Sequence, residues 1–367
     1  MLHFYKTYYP ETIGGVESVI FELATHLPDY GIEVEVLSLA PKKTAREYRL
    51  DKHLAYKARE DFRIASTGFS LSAILRFKKL AKSADIIHYH FPWPFMDLVH
   101  FISGIKKPTV VTYHSDIVRQ KRLFWLYKPL MCVFMKNVSR IIATSPNYLL
   151  TSKVLQKYRE KVEVIPLGID RASYSLPSPE ITAKWESVVG KKFFLFVGVL
   201  RYYKGLNVLL DALAIREFPV VIVGAGPIET ELKTQITRLG LKEVIFTGQV
   251  SDRDKISLLN LCYAMVFPSN LRSEAFGISL VEGAMSGKPL ISCEIGTGTS
   301  FINEHGVTGL VVKPSDQNSL ADAMAKLWDN PELAQKMGCE ALQRYQKFFT
   351  SEKMASDYAE LYRRLIS

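Results

Sequence analysis

Cysteine is scarce. Cys132, Cys262, Cys293 and Cys339 are the four in 367 residues, and no two form a CxxC pair. A disulfide scaffold and a zinc ribbon are thereby excluded, and free thiols suit a reducing cytosol. No run of about 18 apolar residues occurs, so no segment reads as a membrane span, and the amino terminus lacks a secretory signal. Low-complexity tracts are missing, which argues against long disordered regions. Zinc-finger spacing and RNA-binding signatures are missing too, so the basic character of the chain does not point to nucleic acid. The expected location is cytoplasmic, with peripheral contact at the inner membrane face left open.

What is present describes a large globular protein. The composition is 48% hydrophobic with 18 tyrosines, and the length suits two domains. The net charge of +10 is unevenly spread: residues 1–175 hold 26 basic and 16 acidic residues, whereas the remainder holds 21 of each. Residues 101–161 alone hold 12 basic residues against Asp116 and Glu160. One face of the first half is therefore expected to be positive, matching an anionic lipid surface or a phosphorylated acceptor. Within that half, Leu123–Met135 is apolar but interrupted by Lys128 and Pro129 and flanked by Arg119, Lys121, Arg122 and Lys136. The expectation is a helix buried against the first domain's sheet, with an interfacial anchor as the alternative.

Short apolar runs alternate with helix-length amphipathic stretches. The first half offers strands at 34–39, 86–90, 109–113, 140–144 and 162–165. The second offers 193–197, 219–223, 244–246, 264–267, 289–292 and 309–312. Continuous apolar runs of this length read as buried parallel strands. The fold class is α/β: two doubly wound, Rossmann-like domains facing across a cleft, spanning 1–170 and 190–350. The connection falls within 169–190, and 351–366 reads as one amphipathic helix.

The most informative segment is Glu274-Ala-Phe-Gly-Ile-Ser-Leu-Val-Glu282. It places a carboxylate at a loop tip, a glycine before a helix, and a second carboxylate along that helix. A helix start attracts phosphate through its unpaired amides and positive dipole end. Carboxylates on either side suit hydroxyl groups, so the pattern fits a nucleotide sugar. A two-carboxylate glycosidase is the rival reading, but eight helical steps rise about 12 Å, more than the ~5–10 Å across which such enzymes hold their carboxyl groups. Three further loops bear on the same chemistry. Gly14-Gly15 precedes a helix and permits close approach of backbone to a phosphate or sugar. Arg201 and Lys204 follow an apolar strand, where two cations can face a departing diphosphate. His114 follows another strand and is a candidate base or hydrogen-bonding group. Gly224-Ala-Gly226 begins like a dinucleotide fingerprint, but Glu229 stands at its third glycine, which discounts a dehydrogenase. Asp252-Arg-Asp254 resembles a metal-binding pair and reads instead as acidic residues at a helix start after Ser251. No other His/Asp/Glu cluster has metal-ligand spacing.

On Gly14-Gly15, His114, Arg201 with Lys204-Gly205, and Ser273–Glu282, the chain resembles the retaining glycosyltransferases of the GT-B fold in family 4. The resemblance implies that Arg201 and Lys204 neutralise the donor diphosphate. It gives Glu274 the hydroxyls of the transferred sugar, with the Phe276 and Gly277 amides. Amides near Ile278 and Ser279 would meet phosphate, Glu282 the ribose hydroxyls, and the backbone at Gln249 and Val250 the base. His114 and Gly14-Gly15 would close the site from the other domain, and the last helix would return to the first domain. The opening Leu2–Thr12 and the segment Glu294–Ser300 are similar to those of bacterial lipopolysaccharide mannosyltransferases. That implies GDP-mannose as donor and a lipid-linked O-antigen glycan as acceptor. Two departures stand out. Thr297 and Ser300 occupy positions where the family commonly has glycine and glutamate, and Glu282 is followed by Gly283 in place of alanine.

The expected reaction is transfer with retention. Lacking a carboxylate nucleophile, it needs placement and charge stabilisation and no metal. Rival readings are a UDP-sugar donor, an epimerase or hydrolase on the same fold, and a non-catalytic lipid-surface scaffold.

Overall fold

The computed structural model describes residues 1–12, 14–40, 47–64, 67–117, 121–174 and 177–367, with backbone alone at Lys121 and Arg122. The chain divides into two compact units, residues 1–168 with 351–367 and residues 169–350.

The first unit is built on an eight-stranded sheet. Its strands are β1 (Leu2–Phe4), β2 (Glu35–Ala40), β3 (Glu47–Leu50), β4 (His53–Arg59), β7 (Ile87–Phe91), β8 (Thr109–Tyr113), β9 (Arg140–Ala143) and β10 (Val162–Val164); a separate hairpin pairs β5 (Phe62–Ile64) with β6 (Thr67–Phe69). The order β10-β9-β8-β7-β1-β2-β4-β3 is parallel except for the last pair. The chain thus winds outward in both directions from β1 and β7. The second unit carries β11 (Phe194–Val197), β12 (Val220–Val223), β13 (Val244–Gly248), β14 (Ala264–Phe267), β15 (Leu290–Cys293) and β16 (Gly309–Val312), in the order β13-β12-β11-β14-β15-β16, all parallel. Its reversal lies between β11 and β14. In doubly wound sheets ligands bind beyond the carboxyl ends of the strands at that reversal.

The strands β11, β12, β14 and β15 are buried along their whole length, as sheets covered on both faces require. The final helix, Ser351–Ile366, is part of the first unit and buries Met354, Tyr358, Leu361 and Tyr362 there. Ser351 Oγ donates to Glu22 Oε2 at 2.6 Å on the helix Gly15–His26. Pro179–Val189 is a helix of the second unit; its Trp185 indole donates to Asp254 at 2.7 Å.

Two expectations need correcting. Strand β1 and the four strands in the stretch 47–69 have no counterpart in the expected runs; β4 escaped because it carries His53 and Lys57, which read as polar yet are 2% and 3% exposed. Lys57 is satisfied by Glu11 at 2.7 Å and the Tyr8 carbonyl at 2.8 Å. The helix Lys121–Asn137 is not wholly buried. Met131, Phe134 and Met135 are covered, but Trp125 is 75% and Leu126 70% exposed, and Leu123 and Val133 are also open. Its apolar residues surround the helix, and one sheet can cover only one side. The flanking Arg119 and the side chains of Lys121 and Arg122 lie outside the described residues.

Candidate active site

The reversal in the second sheet puts two loops side by side. The loop after β11 runs Gly198–Gly205, with a 3-10 turn at Tyr202–Lys204; the loop after β14 runs Pro268–Gly277. They are stitched by the Asn270 amide, which donates to the Tyr203 carbonyl at 3.0 Å. Gly205 has φ +66°, and a Cβ there would lie 2.1 Å from the Pro268 carbonyl oxygen. Gly205→Ala should therefore cost about 2 kcal/mol or more, from the left-handed backbone together with the backbone clash. Chemical unfolding followed by a probe in the second unit will read the loss.

The glycines that imitate a dinucleotide fingerprint serve the same packing. A Cβ on Gly224 would meet the Gly198 carbonyl at 2.1 Å, and one on Gly226 the Leu200 carbonyl at 2.3 Å. The Leu200 amide donates to the Ala225 carbonyl at 3.1 Å. These glycines let the β12 loop lie flat beneath the cation-bearing loop.

Lys204 is 8% exposed, and its Nζ lies 2.5 Å from Glu274 Oε2. Ser269 Oγ donates to the same oxygen at 3.3 Å. The ammonium also lies 4.6 Å from the Phe267 ring centroid. Arg201 precedes the 3-10 turn and is exposed. Burial pushes the Tyr203 hydroxyl up to about 12, with Glu274 adding to the shift and Arg201 opposing it. That hydroxyl therefore senses both charges.

Gly277 has φ +100° and ends the loop; the helix Ile278–Met285 follows with no side-chain cap. The Leu280 amide bonds back to Gly277 at 2.9 Å. The Ile278 and Ser279 amides have no intrahelical acceptor. Phe276 is buried and sits against Gly298, where a Cβ would lie 2.5 Å from its ring. Further along, Glu282 is 4% exposed; Tyr174 and Lys255 both donate to its Oε1 at 2.8 Å. Gly283 packs on β14, where a Cβ would lie 2.5 Å from Met265 Cγ. This contact accounts for glycine at a position where the family has alanine. Thr297 is fully buried, and Ser300 Oγ donates to Glu294 Oε1 at 3.0 Å.

Gln249 and Val250 follow β13 and precede Ser251, which caps the helix Asp252–Leu261 through the Asp254 amide at 3.2 Å. Asp254 accepts from Ser251, Trp185 and Lys184, and the Ser251 and Trp185 bonds hold its carboxyl below the usual range. It is a structural carboxylate. Lys255 on the same helix links the Gln249–Val250 turn to Glu282. Thus Lys204, Glu274, the bare amides and Glu282 lie along the carboxyl edge of one sheet.

The other predicted residues are in the first unit. Gly14 precedes the helix Gly15–His26, and a Cβ there would lie 2.6 Å from Glu17 Oε2. Glu17 is 7% exposed and accepts from Thr7 Oγ1 at 2.6 Å. A carboxylate at this helix start repels phosphate, so the loop suits a hydroxyl. His114 follows β8, in a loop fixed by Asp116, which accepts from Tyr113 at 2.9 Å and Ser152 at 2.7 Å. Burial is the main reason its pKa falls to about 3, and Lys6 adds to the effect. Neutral at physiological pH, it is a hydrogen-bonding group and a poor general base.

The fold also assembles a His cluster that sequence spacing does not show. His3, His88 and His90 converge from β1 and β7, with possible ligand atoms within 4.8 Å of one another. Register across two strands makes the cluster, so sequence spacing cannot reveal it: His3 pairs with His88. The rings lie 24–35° from parallel, so their in-plane lone pairs do not converge on one ion. His88 is also committed on both nitrogens, to Thr112 and Tyr362, each at 2.7 Å. The donor set does not fit a metal.

Sequence reasoning did not foresee Ser269, Tyr203, Lys255 or Tyr174 in the second unit, nor His3 and His90 in the first. The Lys255–Glu282 pair joins two helices 27 residues apart, and no local pattern signals it.

Comparison with known proteins bears on the family and the fold. The model of glycosyl transferases group 1 matches residues 177–344, and that of glycosyltransferase family 4 matches residues 13–173. A D-rhamnosyltransferase, WbpZ, of Pseudomonas aeruginosa is 56% identical over 351 residues, covering 96% of this chain and 92% of that protein. O-antigen chain mannosyltransferase C of Escherichia coli is 48% identical over 366 residues, covering 100% and 98%. Among solved structures, sucrose-phosphate synthase from Thermosynechococcus elongatus aligns with a TM-score of 0.79 at 19% identity, covering 99% of this chain and 98% of that one. Anabaena HepE in complex with UDP and glucose gives 0.78 at 21%, with the same coverage. No described helix is long and apolar enough to cross a membrane. Two family models in tandem, close relatives along the whole length and two Rossmann-like units together make this chain a glycosyltransferase of family 4, with the GT-B fold.

Proposed function

We propose that the enzyme transfers a manno-configured hexose from a GDP-linked donor to a lipid-linked or lipopolysaccharide O-antigen glycan, with retention at the anomeric carbon. The single observation that carries donor binding is the buried Lys204 ammonium paired with Glu274 in the loop that leads into the uncapped helix Ile278–Met285, at the reversal of the second sheet. The two close relatives support the sugar class. Mannose and D-rhamnose share their ring configuration and differ only by the hydroxyl at C6.

In this reading the bond between C1 and the phosphate oxygen breaks as the acceptor oxygen forms its bond to C1 on the same face. The acceptor's proton passes to the departing phosphate. Lys204 and Arg201 draw off the developing charge. Glu274 and the amides of Phe276 and Gly277 hold sugar hydroxyls; Glu282 takes the ribose, and the Gln249–Val250 backbone the base. In the first unit, Gly14-Gly15 and His114 offer hydrogen bonds to sugar hydroxyls. Fixed cations suffice for the leaving group, so no metal is proposed. The cytoplasm supplies activated sugars and is the proposed compartment.

A panel of GDP-mannose, GDP-D-rhamnose, UDP-glucose and ADP-glucose tests the donor. GDP-sugars should raise the melting temperature most, and NMR of the product should show the donor's anomeric configuration. Inversion would sink the mechanism, and preference for a UDP-sugar would sink the donor assignment. Turnover of donor without any acceptor would favour the epimerase or hydrolase reading.

The open apolar side of Lys121–Asn137, set in a basic first half, fits the interface of an anionic bilayer. Trp125→Glu with Leu126→Glu should weaken sedimentation with phosphatidylglycerol-containing vesicles at least tenfold. Equal sedimentation of variant and parent would refute this contact.

A further inference from the structure

The first unit's sheet carries a chain of three imidazoles ending at His114. His114 Nε2 lies 2.9 Å from His90 Nδ1, and His90 Nε2 lies 2.9 Å from His3 Nδ1. The ring centroids lie 5.2 and 5.1 Å apart with planes 21° and 26° from parallel, so the linked nitrogens meet edge to edge. His3 and His90 are fully buried, and His114 is 7% exposed. At the inner end His3 Nε2 is buried and has no partner.

A neutral imidazole has one donor and one acceptor nitrogen. Three neutral rings have three N–H groups, and the two links take one each. The third sits at an end, either on His3 Nε2 or on His114 Nδ1. The two choices are global, because moving it reverses both links. An N–H on His3 Nε2 would be a buried donor with nothing to receive it, the rarer and costlier defect compared with an under-used acceptor. An N–H on His114 Nδ1 faces the open end of the chain. We infer that His90 and His3 are positioning residues that fix His114 as the Nδ1–H tautomer, making it a hydrogen-bond donor at its outer nitrogen.

Burial keeps the array neutral, which the counting requires. Desolvation is the main cause of depression at all three rings; the amino terminus and His53 add to it at His3, neighbouring histidines at His90, and Lys6 at His114. The outer nitrogen then presents a proton to an oxygen of a bound sugar, a step that rests on the role proposed for His114 above.

The test is ring 15N NMR of the full chain labelled on histidine, which reports which nitrogen carries the proton. His114 should show a protonated Nδ1 and a bare Nε2 at pH 7. A proton on His114 Nε2, or a cationic ring, would overturn the assignment. In His3→Met the thioether can only accept, so His90 Nε2 must donate and both links reverse. His114 should then show a protonated Nε2 in a protein of unchanged fold. A folded His3→Met protein that retains the parent tautomer would overturn the role of His3. Turnover in the reversed variant should fall about tenfold, since the sugar loses a hydrogen-bond donor. A reversed tautomer with unchanged turnover would refute the contact between His114 and sugar while leaving the tautomer assignment standing.

Discussion

Lys204→Ala is expected to lower kcat by at least ~100-fold while the protein stays folded. Three features set this size. First, the ammonium is 8% exposed and lies at the carboxyl edge of β11, where the sheet order reverses. A charge in such a low-dielectric setting acts on a departing phosphate far more strongly than a solvated one. Second, its position is over-determined. Glu274 holds it at 2.5 Å, the Phe267 ring lies beneath it, and Gly198 gives it room, with a Cβ there only 3.6 Å from Nζ. Little reorganisation is needed when charge develops. Third, the other cation proposed for the diphosphate, Arg201, is the weaker of the two. Arg201 is exposed, where solvent screens its charge, so Arg201→Ala should cost less. Steady-state kinetics of both variants, with circular dichroism as the control, decides the matter. Near-normal turnover in Lys204→Ala would remove the central element of the proposed mechanism. A rise in KM alone, with kcat unchanged, would instead place Lys204 in ground-state binding.

Much of this site was legible in the sequence, because its parts are local. A loop cation after an apolar strand, a glycine before a helix and a carboxylate on that helix are each written in consecutive residues. The strands of the second unit follow from continuous apolar runs, and β14 and β16 coincide with the expected limits. What stayed hidden is what register and crossing create. His3 and His90 meet because β1 and β7 are neighbours, although 87 residues separate them. The buried polar residues of β4 masked its strand character, since partners rather than composition satisfy them. The exposure of Trp125 and Leu126 was hidden for the opposite reason: an apolar run reveals affinity for cover but not which side is covered.

Glu282→Ala should separate binding from structure at the other end of the ligand. The carboxylate is 4% exposed and holds Lys255 and Tyr174 through Oε1, and the ribose role needs its second oxygen. Losing charged acceptors for two hydroxyls should raise the donor KM about 10- to 100-fold, with kcat at saturation changed much less. The same substitution strands Lys255. Removing one partner of a fully buried pair costs about 3–5 kcal/mol. The Lys255 side chain is 22% exposed and Asp252 remains at 3.6 Å, so a loss of about 1–3 kcal/mol is expected here. Alkaline pH distinguishes this cause from a mere cavity. Burial opposes the charge on Lys255, but Glu282 and Asp252 outweigh it and hold its pKa above the ordinary lysine value. That contribution is present below the lysine range and fades as pH rises through it, so the parent loses stability there. Without Glu282, burial wins and the folded-state pKa drops below the unfolded one. The unfolded chain then binds the extra proton, and the variant gains stability over the same rise. The deficit between the two proteins should therefore shrink as pH climbs toward 10–11, in denaturant titrations at successive pH values. A deficit independent of pH would mean that lost packing, and not a stranded ammonium, destabilises the variant. An unchanged donor KM in the folded variant would separately eliminate Glu282 as the ribose ligand.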